Sequence, residues 1–497
     1  MRVPQLMEAT VRMLRGVLCV PVGRLAVVAA LVLVFGAGAL GQTQENQKAE
    51  TKTKVGPVDP GVRGGSAGVG GPLKGLTADE TAFFVDGMAR FAEVDGVTGD
   101  ANNGLGPRFN SNQCLSCHSQ PEAGGSSPAE NPLIAVAMLN GAKNEVPWFI
   151  TAKGPVREAR FVHSSDGTGD GEVHDLFVIT GRADAVGCKI AQPDFLPAGN
   201  PLTGKGGNPN IIFRIPTPVF GAGLIESIPD SAILANMKAN VTEKSALGIY
   251  GHANAHLSGN VNRNANDGTI SRFGWKAQNK SLLLFASEAY NVEMGVTNQL
   301  FTQERDETPG CVFNATPEDT LKFTPTSPSG GNPDTAAISD IEAFANFMRM
   351  LAPPVPAAET PSSEKGRATF AKIGCAHCHT PSLTTGTKIA SGSSTTPSAA
   401  LSNQTANLYS DLLVHHMGSG LADGITQGGA GPDEFRSAPL WGVGQRVFFF
   451  HDGRTSNLVE AIRVHWSKGS EANRVIEHFN RLSVKEQQEV IDFLRSL

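Results

Sequence analysis

The chain has 497 residues, 41 lysines and arginines against 47 aspartates and glutamates, and a formal charge of −6 at neutral pH. That acidic balance, with no basic run anywhere, excludes a nucleic-acid binder. The length allows two or three domains, and 56 glycines, 31 prolines and only 18% charged residues imply much loop surface over a helical core.

In chain order, the first segment is a secretory signal over residues 1–41. Arg2, Arg12, Arg15 and Arg24 precede an apolar run from Leu25 to Leu40 that ends in small residues, with cleavage after Gly41. A retained N-terminal anchor is the alternative, although the run is short of the roughly 20 residues that span a bilayer. No later stretch is long and apolar enough to span, so the mature protein is expected to be soluble and periplasmic, or otherwise extracytoplasmic. Residues 42–75, polar and then Gly-rich, read as a disordered leader. With Cys19 lost in the signal, Cys188 and Cys311 can pair in that oxidising compartment or remain buried thiols.

The most specific motifs are Cys114-Leu115-Ser116-Cys117-His118 and Cys375-Ala376-His377-Cys378-His379. In C-x-x-C-H the two thiols can form thioethers to a haem and the histidine then becomes the proximal iron ligand. A thioredoxin-like pair, a zinc half-site or a disulfide would explain one C-x-x-C, but not two copies that both place histidine fifth. Two covalent c-type haems are therefore expected, held by Cys114, Cys117 and His118 and by Cys375, Cys378 and His379.

Other elements also recur. Ser339-Asp340-Ile341-Glu342 and Ser483-Val484-Lys485-Glu486 each open a helix with a capping box, and the helices end on Phe347–Leu351 and Phe493–Leu497. Phe213–Val219 with Gly221 and Gly223 parallels Phe435–Trp441 with Gly442 and Gly444. Pro353-Pro354-Val355-Pro356 reads as a linker. The expected architecture is mainly α, two tandem cytochrome c-like haem domains over 76–352 and 358–497. Long loop insertions, around 120–210 and 305–335, enlarge the first domain.

From about residue 78 to the C-terminus the chain resembles the bacterial di-haem cytochrome c peroxidase superfamily, most closely its di-haem oxidoreductase branch of thiol oxidoreductases and peroxidases. The stretch Phe435–His465 contains Phe450-His451-Asp452-Gly453-Arg454, which is similar to the family's F-H-D-G element. Arg272-Phe273-Gly274-Trp275-Lys276-Ala277 is a second match. Asn291-Val292-Glu293-Met294 is similar to N-P-V-E-M without its proline. The resemblance implies a C-terminal haem that takes an electron from a small soluble redox protein and an N-terminal haem that reacts with hydrogen peroxide. It also implies a calcium ion between the domains.

For the second haem, Asn457 caps a helix whose Leu458, Ile462 and His465 share a face, and His465 lies 14 residues past His451. Ligation by His379 and His465 is expected, with Met417 the runner-up because His/Met pairs are common in c-type centres. Near the first haem, Glu293 stands where the family has its acid–base glutamate. Glu288 competes, lying 14 residues past Gly274. The accompanying family glutamine has no counterpart, since Leu283 holds that spacing. His163, His174, His252 and His256 could supply a sixth ligand but read as loop histidines. Trp275 is either an electron mediator between haems or a core contact.

The leading expectation is a periplasmic di-haem oxidoreductase that reduces hydrogen peroxide or oxidises a thiol. A non-catalytic di-haem electron carrier serving another dehydrogenase is the alternative. A relative that stores oxidising equivalents to modify a partner protein, as the methylamine-pathway di-haem enzyme does, is the third.

Overall fold

The computed structural model describes residues 56–97, 104–195, 210–255, 269–320, 338–389 and 397–497. The expected signal, the leader up to residue 55, and His256 lie outside these residues. Helices dominate, joined by long irregular connections and a few short strands. The helices of the first part are α1 (Ala78–Phe91), α2 (Cys114–Cys117), α3 (Leu133–Ala137), α4 (Ala222–Glu226), α5 (Asp230–Lys238), α6 (Val241–Leu247), α7 (Leu282–Met294) and α8 (Asp340–Met350). Those that follow are α9 (Pro361–Ile373), α10 (Leu458–Val464), α11 (Asn473–Arg481) and α12 (Val484–Ser496). Among the described residues no helix is long and apolar enough to cross a membrane.

The strands make small antiparallel sheets. β1 (Arg108–Phe109) pairs with β4 (Phe177–Val178), and β2 (Glu158–Phe161) lies between β3 (Val173–His174) and β5 (Ile211–Arg214). β6 (Leu383–Thr384) pairs with β7 (Thr405–Ala406), and β8 (Val414–His416) with β9 (Glu434–Arg436).

Two helix pairs repeat one packing solution. α1 crosses α8 at Gly87, where an added Cβ would collide with the Ala343 carbonyl, and α9 crosses α12 at Gly366, where it would collide with the Glu489 carbonyl. Only glycine lets the backbones approach so closely. Aromatic rings close each crossing: Phe91 and Phe347 stand 4.9 Å apart, Phe370 and Phe493 5.4 Å. Each pair also receives the second repeated element in the same way. Gly221 N–H donates to Leu351 O and Gly442 N–H to Leu497 O, both at 3.1 Å.

The capping boxes differ in detail. At α12, Ser483 Oγ accepts from Glu486 N–H and Glu486 accepts from Ser483 N–H. At α8, Glu342 accepts from Ser339 N–H, while the Asp319 carboxylate accepts from Asp340 and Ile341 N–H at 2.8 and 3.0 Å. A carboxylate on exposed first-turn N–H groups is the stronger cap.

Two readings of the chain's organisation change. Residues 56–75, read from composition as part of a disordered leader, lie against the rest of the chain, the first part along the second helix pair and the later part at the end of α8, where Leu73 N–H donates to the Met350 carbonyl. Asp59 is buried against Arg495 at 2.7 Å and also accepts from Leu458 N–H, while Arg63 N–H donates to Gly444 O. One satisfied carboxylate and a run of backbone hydrogen bonds hold a segment that has few apolar side chains. Packing also crosses the proline linker: Leu401, Leu408, Leu412 and Leu413 join the core built around α1, α7 and α8. A separate core forms around α9, α10 and α12. Cys188 and Cys311 form a disulfide across 123 residues of sequence.

Candidate functional site: two cavities, each with a C-x-x-C-H

Each C-x-x-C-H lines its own cavity. At the first, His118 Nδ1 meets the Gly125 carbonyl at 2.9 Å; at the second, His379 Nδ1 meets the Tyr409 carbonyl at 3.1 Å. A backbone carbonyl at Nδ1 fixes the tautomer with Nδ1–H and leaves Nε2 as a free ligand atom. Burial holds both imidazoles neutral, pushing each down to about 4. The thiols are not joined to each other. Burial pushes Cys117 and Cys375 up to about 12, against the lowered values of redox-active or zinc-bound cysteines.

The first cavity has an apolar part, including Phe91, Leu133, Phe344 and Met348, and a polar wall. That wall is built by α7 and the β2–β5 pair. α7 starts on Ser281, whose hydroxyl accepts from Leu284 N–H, and stops at Gly295 in the left-handed region. Its last turn is pinned: the Glu293 carbonyl accepts from Asn110 and Ser111 N–H, just ahead of Cys114. Glu288 and Glu293 both face the cavity. From the sheet come Glu158, Arg160 and Arg214, with Glu158 directly opposite Arg214 in the β2–β5 register and on the same strand face as Arg160.

These charges are organised. Arg160 Nε donates to Glu158 at 2.6 Å, Asn110 Nδ2 donates to Glu293 at 2.6 Å, and the Glu158 and Glu293 carboxyls are hydrogen-bonded to each other. Burial, then the charge of Glu158, push Glu293 well above the usual carboxylate range. Burial opposes ionisation of Glu158 too, yet the Arg160 guanidinium, with help from Glu293 and Arg214, holds it below that range. A proton shared by the pair therefore resides on Glu293 rather than on Glu158. Glu288, which accepts from Asn279, is raised mainly by burial.

The second cavity is lined by His379, His465, Met417, His451 and His415 among largely apolar neighbours. His465 ends α10, whose Asn457 cap accepts from Glu460 N–H. Its Nδ1 meets the Ala461 carbonyl at 2.8 Å, so its Nε2 is free, as in the two C-x-x-C-H histidines. His415 is different. Its ring nitrogens are taken by Glu471 at 2.8 Å and Asp411 at 3.0 Å, leaving no atom to ligate. Arg436 and Arg446 also line this cavity, and Arg436 Nη1 and Arg446 Nε are buried without a partner. Orphaned guanidinium N–H groups at an apolar cavity suit a bound group that brings its own carboxylates, as haem does.

The family model described as "Di-haem oxidoreductase, putative peroxidase" matches residues 208–497. The chain belongs to that di-haem family. Its cofactors are accordingly haems and its role is redox, and the two cavities offer a place for one haem each. Solved structures with similarity include hydrazine synthase from Kuenenia stuttgartiensis, at 17% identity over 34% of this chain with a TM-score of 0.21; the chain spans 58% of that protein's length. A MauG-like protein associated with microbial copper homeostasis is 15% identical over 57% of this chain and 90% of its own (TM-score 0.27). The diheme peroxidase BthA from Burkholderia thailandensis is 16% identical over 57% and 86% (TM-score 0.27). No curated protein matches the chain.

The residues singled out from sequence divide between the two cavities. Glu288 and Glu293 share the first cavity with Cys114, Cys117 and His118, and His465 and Met417 share the second with Cys375, Cys378 and His379. Trp275 lines both cavities, with its Nε1–H donated to the Ile215 carbonyl at 2.9 Å. The F-H-D-G segment is the seam between them, its His451 and Asp452 carbonyls accepting from Ile215 N–H and Arg157 Nε. His163, His174 and His252 stay outside the first cavity; His174 stacks on Phe161 and His252 bonds Glu434. Glu158, Arg160 and Arg214 were missed. Their signal was opposite charge at alternate positions of Glu158-Ala159-Arg160, the spacing of a strand face.

Proposed function

We propose that this chain is an exported c-type di-haem oxidoreductase that reduces hydrogen peroxide at the cavity of Cys114, Cys117 and His118. The second cavity would hold its haem between His379 and His465 and receive electrons from a small redox protein. The observation that carries the reading is the Glu158–Glu293 pair, one carboxyl held down by Arg160 and the other pushed up by burial, in the same cavity as His118.

Peroxide reduction takes one hydrogen peroxide, two electrons and two protons to two waters. When bound, the haems supply the electrons and an iron that polarises the peroxide bond. The protein supplies acid and base. An ionised carboxylate accepts the proton of the near oxygen, and a neutral carboxylic acid donates one to the departing oxygen. Glu158 and Glu293 are those two states held side by side, and the hydrogen bond between them lets the proton pass from one to the other. Arg160 and Arg214 keep the ionised member charged. Trp275, touching both cavities, is placed to couple them. Export fits the disulfide, and each histidine free at Nε2 fits axial ligation.

The test is the haem-loaded protein, with electron paramagnetic resonance recorded oxidised and half-reduced, before and after peroxide. The expected result is two haems that survive denaturation on the chain, and a high-spin signal that peroxide consumes. Two low-spin signals indifferent to peroxide would overturn the peroxidase reading in favour of an electron carrier. Turnover of a small thiol without peroxide consumption would move the substrate to thiols.

A further inference from the structure

Peroxide reduction consumes two protons per turnover, and the carboxyls of the first cavity, Glu158, Glu288 and Glu293, stand in its polar wall. Protons must enter through its polar wall. Behind that wall lies a second, open cavity of about 950 Å³. It shares the same elements: β2 turns Glu158 inward and Phe161 outward, and α7 turns Glu293 inward and Asn291 outward. Asp175 lines the outer cavity immediately after β3. It is 2% exposed; Oδ2 meets Arg305 Nε at 3.1 Å, and Oδ1 is buried without a hydrogen-bond partner. The next residue reaches the inner site directly, since Leu176 N–H donates to Asn110 Oδ1 and Asn110 Nδ2 donates to Glu293.

We propose that Asp175 is the proton port of the first cavity, taking protons from water in the outer cavity and passing them to the Glu158–Glu293 pair. A relay group must be able to hold a proton and to release it near the working pH. Burial pushes Asp175 up to about 7, against the pull of Arg305 and Arg108. Asp175 and Glu293 lie within electrostatic reach of each other, as do Asp175 and Glu158. The titratable and charged groups facing Asp175 across the cavity are Arg108, Glu172, His174, Asp194, Glu304 and Arg305. Glu304, pushed to about 7 by burial and then by Glu318, also has a buried oxygen without a partner and is the outer antenna of the port. Two guanidinium groups on the same wall oppose a divalent cation there. A roomy polar cavity holds the water that a proton relay needs.

The inference rests on the peroxide reading, so two readouts separate their failures. The first needs no turnover. In the haem-loaded resting protein the carbonyl stretch of the neutral Glu293 carboxyl, assigned by its loss in Glu293→Gln, shifts on mixing with D2O; Asp175→Asn should slow that shift at least tenfold, and Asp175→Glu should restore it. The second is peroxide turnover, which Asp175→Asn should lower about tenfold and small weak acids such as acetic acid should rescue, with haem spectra unchanged. Glu304→Gln should slow both readouts less. An unchanged exchange rate in a folded Asp175→Asn protein overturns the port. If that variant does not fold, wild-type turnover decides. A rate that falls as pH rises through about 7 and recovers with added weak acid supports the port, and a flat, acid-insensitive rate overturns it. Wild-type protein inert to peroxide refutes the peroxide reading alone, because the exchange readout still decides the port.

Discussion

The two cavities begin from the same five-residue motif and the same helix crossing, and diverge on the side facing each motif. The first is walled by carboxyls and guanidinium groups on α7, β2 and β5. The second meets a third histidine with a free Nε2, and its buried His415 is locked between two carboxylates. On the proposed reading, the repeated scaffold fixes where each haem would sit. The unrepeated wall decides whether that haem meets protons and substrate or a sixth ligand.

The largest test of this contrast is Glu293→Gln, which should lower peroxide turnover about 10²- to 10⁴-fold and leave the second centre's spectrum untouched. Loss at both centres would mean that the cavities are not separable. Next, His465→Ala should convert the second centre completely from low to high spin without altering the first. If Met417→Leu does so instead, Met417 is the ligand. The shared scaffold predicts equal costs: Gly87→Ala and Gly366→Ala should each destabilise by about 1–3 kcal/mol in urea melts, since both drive a methyl into a backbone carbonyl. A large inequality would show that one crossing is dispensable. The smallest effect is at Arg160→Gln. Arg160 holds Glu158 below its usual range, so its removal raises Glu158. The pair then gains its second proton at higher pH. The acid limb of the pH–rate profile should move to higher pH, where an unmoved limb would separate Glu158 from the chemistry.

Much of this was legible from residues alone, for identifiable reasons. C-x-x-C-H, the Ser483 box and the Asn457 cap are local devices whose chemistry depends on spacing within one helical turn. The position of Glu293 came from a family pattern, and that of His465 from the helix face it shares with Leu458 and Ile462. What escaped is non-local. Glu158 and Arg214 meet only because two four-residue strands, 158–161 and 211–214, pair from distant parts of the sequence, with no periodicity to announce it. Composition likewise misread residues 56–75, because Asp59 needs Arg495, and no rule of local sequence joins them.

That last contact sets an order of assembly. Asp59 docks on Arg495 of α12, 436 positions later in the sequence, and Leu494 of the same helix lines the second cavity. The latch can shut only after α12 has been made. Any group too large to slip past α12 must therefore be seated while the chain is still open, which makes cofactor loading a step of folding and not an event that follows it.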